Sequence, residues 1–151
     1  MIERNLQRHL EVFHQGVDEI LPEHELVRKL ERAIAENRPL RIKQGFDPTA
    51  PDIHLGHTVG LRKLRDLQQL GHQIVLIVGD YTAQVGDPSG RSRTRPRLTQ
   101  EAVEHNARTY MEQFFKVIRP QETEIRHNGE WFSKLSFRGM LALTSQYTVA
   151  R

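Results

Sequence analysis

Apolar residues along this chain follow two rhythms. Leu6, Leu10, Phe13, Val17 and Ile20 recur every three or four positions, which predicts one amphipathic helix running up to Pro22. Leu26, Leu30 and Ile34 predict a second helix, with Asn37 as its stop ahead of Pro39. Leu40 and Ile42, with Phe46 close behind, fit a short strand ending at Gly45. Pro48 and Pro51 then exclude regular helix. Residues 56–70 read as a helix whose apolar side is Val59, Leu64, Leu67 and Leu70, closed by Gly71. The rhythm changes at Ile74-Val75-Leu76-Ile77-Val78, an unbroken, mostly β-branched run suited to a strand buried on both faces. A helix is expected over 100–118, with Thr99 as N-cap and Glu101 and Glu104 near its positive end. Ile118 to Ile125 leads toward a third strand. Trp131 and Phe132 are expected in the core or in packing contacts, and Phe137 to Leu143 as a short helix.

Strand, loop, helix and strand in that order make a βαβ unit, so the class is α/β with a parallel sheet and a right-handed crossover. Ligands of such sheets sit beyond the carboxyl ends of the strands. The loops at 45–56 and 79–99 should therefore open on the same edge.

Composition narrows the picture only slightly. A chain of 151 residues with 37% hydrophobic and 27% charged residues fits one globular domain. No apolar run approaches the roughly 20 residues that span a bilayer, and the N-terminus lacks the apolar centre of a secretory signal. The absence of cysteine excludes disulfides and thiolate metal sites and agrees with a cytoplasmic location. A net charge of +3 permits a polyanionic partner without predicting one, but Arg91, Arg93, Arg95 and Arg97 concentrate positive charge locally.

The chemistry lies in the two loops. In GFDPTAPDIHLGH (45–57), Gly45 allows a sharp turn and leaves room for a ligand. His54 and His57 stand three apart at a helix entrance, where free N–H groups already favour anions. Gly56 between them would let a flat base lie against the backbone. On pattern alone, a helix cap or a pair of surface histidines accounts for H-x-x-H more readily than catalysis does. A zinc site has no third ligand at a telling spacing. In GDYTAQVGDPSGRSRTR (79–95), Gly86 to Gly90 reads as a tight turn and Arg91 and Arg95 as guanidinium forks for phosphate. Alone, that loop reads as solvated and basic; beside His54 and His57, the phosphate-binding reading overtakes it. No P-loop is present.

GFDPT, HLGH and GDPSGR in this order resemble the bacterial-type tyrosyl-tRNA synthetases of class I. HLGH matches the class-wide HIGH motif; the related tryptophanyl enzymes usually end the first motif in Asn. The likeness extends through IRHNGEWF to LTSQYTVAR. It implies a partial Rossmann-like (HUP-type) parallel sheet with N-terminal helices: residues 1–38 form the helical segment and 39–151 the first half of the nucleotide-binding catalytic domain. The implied activity is activation of L-tyrosine by ATP, with Mg²⁺, to tyrosyl-adenylate, followed by transfer to tRNA(Tyr).

By motif matching, Gly45 and the Asp47 backbone approach the phosphates. Thr49 and His54 hold the γ-phosphate, Gly56 lies near adenine, and His57 lies near ribose or phosphate. Asp87 takes the substrate ammonium, Thr82 lines the tyrosine pocket, and Arg91 and Arg95 hold pyrophosphate. No metal ligand is implied. Lys43 and Gly60 depart from the Tyr and Thr that many members carry there.

The resemblance also implies a homodimer for the whole enzyme and no membrane partner. This chain ends before the KMSKS loop, the rest of the tyrosine pocket and the tRNA-binding part. By itself it is then expected to be inactive or weakly ATP-binding, with an exposed edge prone to self-association. Two alternatives stay open: a non-catalytic nucleotide-binding or oligomerising fragment, and a small HxGH nucleotidyltransferase.

Overall fold

The computed structural model describes residues 2–85 and 98–146. Helices α1 (Leu6–His14) and α2 (Glu23–Ala35) precede strand β1 (Arg41–Phe46). Helix α3 (Leu55–Gln69) leads to β2 (Gln73–Val78) and the short α4 (Asp80–Val85). Helix α5 (Gln100–Phe114) leads through a 3₁₀ turn (Pro120–Glu122) to β3 (Thr123–His127), then to α6 (Gly129–Phe132) and α7 (Phe137–Thr144). The strands form one parallel sheet in the order β1-β2-β3, as the βαβ pattern predicts.

Ile74 and Leu76, two apart on β2, share one face. They pack there with Leu61, Leu64 and Leu67 of α3, Tyr110 and Phe114 of α5, and Val12 of α1. The element stops come from local chemistry. After α2, Asn37 adopts φ +48°, and the Asn37 and Arg38 amides bond back to the Ile34 and Ala33 carbonyls. After α3, Gly71 adopts φ +87°, and Gly71 and His72 close onto Gln68 and Leu67 in the same way.

Four expectations are corrected. Helix α1 ends at His14, because Gly16 at φ +66° reverses the chain, so Val17 and Ile20 are not on it. Val59 is 71% exposed and Leu61 fully buried. Val59 stands five residues before Leu64, about 140° around the helix from the buried stripe. Trp131, 42% exposed, lies outside the core and packs only on Phe132 among the described rings (5.9 Å between centres), which in turn meets Tyr81 at 5.8 Å. Helix α5 also stops at Phe114, four residues short of the expected end.

At the amino end of the sheet, two buried histidines form a hydrogen-bonded chain. The Leu40 amide donates to His72 Nδ1 (3.3 Å), so the His72 proton is on Nε2 and is donated to His9 Nδ1 (3.0 Å). His9 Nε2–H then donates to the Glu3 carbonyl (2.7 Å). Both rings are neutral in this arrangement. Burial, and secondarily the neighbouring His9, push His72 down to about 4.

Candidate active site

The strand register levels the three carboxyl ends: Phe46 pairs with Val78, and Val78 with His127. The stretches beginning at Asp47, Gly79 and Asn128 therefore leave the sheet side by side, as the βαβ reading predicts for the first two. Asp87, Arg91 and Arg95 lie outside the described residues.

The first loop turns at Asp47-Pro48-Thr49, where the Thr49 amide bonds to the Asp47 carbonyl (2.8 Å). Gly45 is not the turn. It lies within β1, and among the described residues a Cβ there would meet only the Ile77 carbonyl oxygen, at 3.8 Å. A stripe of polar side chains on α5 holds the loop. Asn106 Nδ2 donates to the Pro48 carbonyl (3.0 Å). Thr109 Oγ1 and Gln113 Nε2 donate to that of Pro51 (2.6 and 3.1 Å), and Gln113 accepts from the Ile53 amide (3.2 Å). The signal was available in the sequence as polar residues at helical spacing on an otherwise apolar side of α5. Their partners, about 60 residues away, were not.

This loop delivers His54 to the N-cap of α3. The capping is reciprocal: the Gly56 amide donates to His54 Nδ1 (3.1 Å), and the His54 amide to His57 Nδ1 (3.1 Å). A nitrogen that accepts from an amide carries no proton, so each neutral ring has its proton on Nε2. Neither Nε2 has a hydrogen-bond partner among the described residues. His57 rests near Phe46 and edge-on to Tyr110, and burial, then the nearby His54, lower its pKa from 6.5. The ring centres stand 4.0 Å apart. The mouth of a 15-residue helix thus presents two neutral N–H donors beside its own free amides. Gly56 has a reason within the chain: a Cβ there would lie 2.9 Å from the His54 ring.

A second hydrogen-bonded chain ties the three strand exits together. Asn128 Nδ2 donates to Thr82 Oγ1 (2.9 Å), and Thr82 Oγ1 donates to Asp47 Oδ1 (2.8 Å). Asn128 Oδ1 also accepts from the Tyr81 amide (2.9 Å). Asp80 accepts from the Tyr81 and Gly129 amides and pairs with His127 Nδ1 at 3.0 Å. The close fit depends on Gly79, where a Cβ would fall 1.9 Å from Asp47 Oδ1.

Asp47, Thr82, His54 and His57 are thus on one edge, with Thr49 exposed between them. Asn128 and Asp80 were missed by sequence reasoning. Lys43 is exposed on β1, and Gly60 lies under the Gln44 amide, which a Cβ would meet at 2.6 Å. Among the described residues, no three His, Cys, Asp or Glu are grouped to hold a metal ion.

The family described as tRNA synthetases class I (W and Y) matches residues 35–151. A tyrosine–tRNA ligase of Carboxydothermus hydrogenoformans is 54% identical over 97% of this chain and 36% of its own length. One of Bordetella avium is 57% identical over 94% and 35%. The chain therefore spans about a third of the length of these relatives. A tyrosyl-tRNA synthetase from Archaeoglobus fulgidus, crystallised with L-tyrosine, shares the fold over 96% of this chain and 41% of its own, with TM-score 0.74 and 22% identity. The tryptophanyl-tRNA synthetase of Plasmodium falciparum shares it over 83% of this chain and 33% of its own, with TM-score 0.61 and 18% identity. With the helix-mouth histidines and the GFDPT turn on one edge of a parallel sheet, the chain belongs to the class I tRNA synthetases of the tryptophan and tyrosine group.

Proposed function

We propose that this chain supplies the first part of the catalytic domain of a tyrosine–tRNA ligase. The observation that carries the reading is the reciprocal cap, which leaves two neutral Nε2–H donors at the mouth of α3, on the sheet edge that also carries Asp47. In the reaction, a carboxylate oxygen of tyrosine attacks the α-phosphorus of ATP. The bond from that phosphorus to the bridging oxygen of the β-phosphate breaks, pyrophosphate leaves, and tyrosyl-adenylate remains. The tyrosyl group then passes to tRNA. Negative charge grows on the departing phosphates, and fixed donors that need no reorganisation stabilise that growth.

Thr49 and His54 take the γ-phosphate in this scheme, and His57 and Gly56 the nucleoside side. The Asp47 backbone and Gly45 flank the α-phosphate. Thr82, held by Asn128, borders the tyrosine pocket. Asp87 takes the substrate ammonium, and Arg91 and Arg95 the pyrophosphate. Mg²⁺ enters with ATP, as is usual for an ion that keeps its waters and binds mostly to phosphates. The whole enzyme is a cytoplasmic homodimer, with residues 1–38 as a helical lead-in to the catalytic domain of 39–151. No described helix is long and apolar enough to cross a membrane.

The 151 residues alone bind ATP weakly and make little adenylate, since the remaining two-thirds of a relative's length carries the rest of the site. The test is tyrosine-dependent exchange of pyrophosphate into ATP by a chimera of this chain with the remaining length of the Carboxydothermus hydrogenoformans relative. Exchange driven by tyrosine and not by tryptophan is expected. Exchange driven by another amino acid rejects the reading.

A further inference from the structure

The end of the sheet away from His54 carries a second feature. Arg41 and Gln73, paired at the start of β1 and β2, border a cavity of about 480 Å³. Its walls hold Lys29 and Arg32 from α2, Arg38 from the turn that follows, and Arg41, over a floor that includes Ala33 and Leu40. The left-handed Asn37 gathers them, because it folds the chain so that the Arg38 amide closes onto the Ala33 carbonyl at 2.9 Å. Among the described residues, no carboxylate and no aromatic ring is part of this lining.

Carboxylates do stand outside the cavity. Glu25 pairs with Lys29 (3.2 Å), Glu36 with Arg38 (3.5 Å) and Glu124 with Arg41 (2.6 Å). Exposed pairs of this kind contribute about 1 kcal/mol or less, so a stronger anion displaces them. Arg32 has no carboxylate within 4 Å among the described residues. Guanidinium forks suit phosphate oxygens bidentately, whereas base recognition on such surfaces relies on stacking against aromatic rings, and the described lining has none.

We propose that this cavity binds backbone phosphates of an RNA, at the end of the sheet opposite the adenylate-forming edge. Six-residue strands separate the two by roughly 20 Å, which a structured RNA spans. The choice of RNA over a small polyphosphate rests on the ligase reading; the phosphate site itself does not.

The test titrates the 151-residue chain with a labelled short RNA duplex across a salt series. Arg32→Gln with Arg38→Gln keeps side-chain bulk and helix propensity on α2. That double variant is expected to weaken binding about tenfold and to flatten the dependence of log affinity on log salt by about one to two. Lys29→Gln repeats the test on another wall, and circular dichroism with urea midpoints verifies the fold of each variant. Arg62→Gln, exposed on α3, is expected to change affinity less than twofold. Unchanged affinity and salt slope in the wall variants overturn the proposal, and so does an equal loss in Arg62→Gln. Variant-sensitive binding of inorganic tripolyphosphate with none of the duplex overturns the assignment to RNA. Pyrophosphate exchange requires no RNA, so the ligase reading and this one fail separately.

Discussion

The chain contains two histidine pairs, and they do opposite things with the same atoms. His9 and His72 lie fully buried at the amino end of the sheet, ring centres 4.9 Å apart, and all four ring nitrogens have partners inside the chain. His54 and His57 lie at the carboxyl end, 4.0 Å apart, and among the described residues only their Nδ1 atoms find partners. In both pairs, backbone amides fix the tautomer. The difference lies in what remains: nothing at the buried pair, two outward-capable N–H donors at the other. A closed hydrogen-bond chain serves stability, and an open one can serve a ligand.

The largest effect that would break this contrast is on stability in acid. The His72 value of about 4 is below the 6.5 expected in the unfolded chain. Between those values the unfolded state takes up a proton that the folded state refuses, so stability is fully present above 6.5 and falls as pH drops toward 4. At about 1.4 kcal/mol per pH unit, this site alone removes about 3 kcal/mol. Urea unfolding at stepped pH should show that slope, and His72→Gln should flatten it. An unaltered slope in the variant removes the buried chain from the account.

Next comes the open pair. His54→Asn keeps a side-chain acceptor for the Gly56 amide but deletes the free Nε2–H. The chimera should lose on the order of 100-fold in pyrophosphate exchange, with little change in its urea midpoint. A variant that exchanges at full rate would show that the outward donor is idle.

Asn128→Ala probes the tie between strand exits. It removes the buried donor to Thr82 and one acceptor for the Tyr81 amide, at a cost of about 2 kcal/mol. The apparent KM for tyrosine should rise in the chimera, because Thr82 loses the partner that orients it. An unchanged urea midpoint and KM would mark Asn128 as a bystander. The smallest effect belongs to His54→Ala, which should cost about 1 kcal/mol of stability through loss of the cap. If calorimetry finds no difference in stability between His54→Ala and His54→Asn, the reciprocal cap contributes nothing.

The sequence was most legible where physics is local. The switch from helical spacing to a continuous β-branched run located β2, and Asn37 and Gly71 marked both helix ends because each occupies a left-handed backbone position. Thr99 was readable as a cap because a hydroxyl at that place can accept from the first turn, as it does from the Ala102 amide at 3.2 Å. The common edge of the two loops followed from parallel topology alone. Phase errors arose where apolar residues lie off the buried stripe, as with Val59, or where one glycine outweighs periodicity, as with Gly16 ahead of Val17. Gly45 was credited with a turn that Asp47 to Thr49 makes instead. His9 with His72, and Asn128 with Thr82, could not be read, since 63 and 46 residues separate the partners and no local pattern announces either bond. The positions proposed for ammonium and pyrophosphate, Asp87, Arg91 and Arg95, lie outside the described residues.

The vacancy beside Asp47 also limits how this edge can vary. Every codon change at Gly79 that alters the residue adds a Cβ 1.9 Å from Asp47 Oδ1 and 2.7 Å from Thr82 Oγ1, so both side chains must swing away and the bond between them is lost. Gly45, one strand away, tolerates a Cβ at ordinary contact distance. Saturation mutagenesis screened for folding would therefore recover alanine at 45 far more often than at 79. Two glycines equally plain in the sequence thus face unequal selection, decided by a neighbour that neither adjoins.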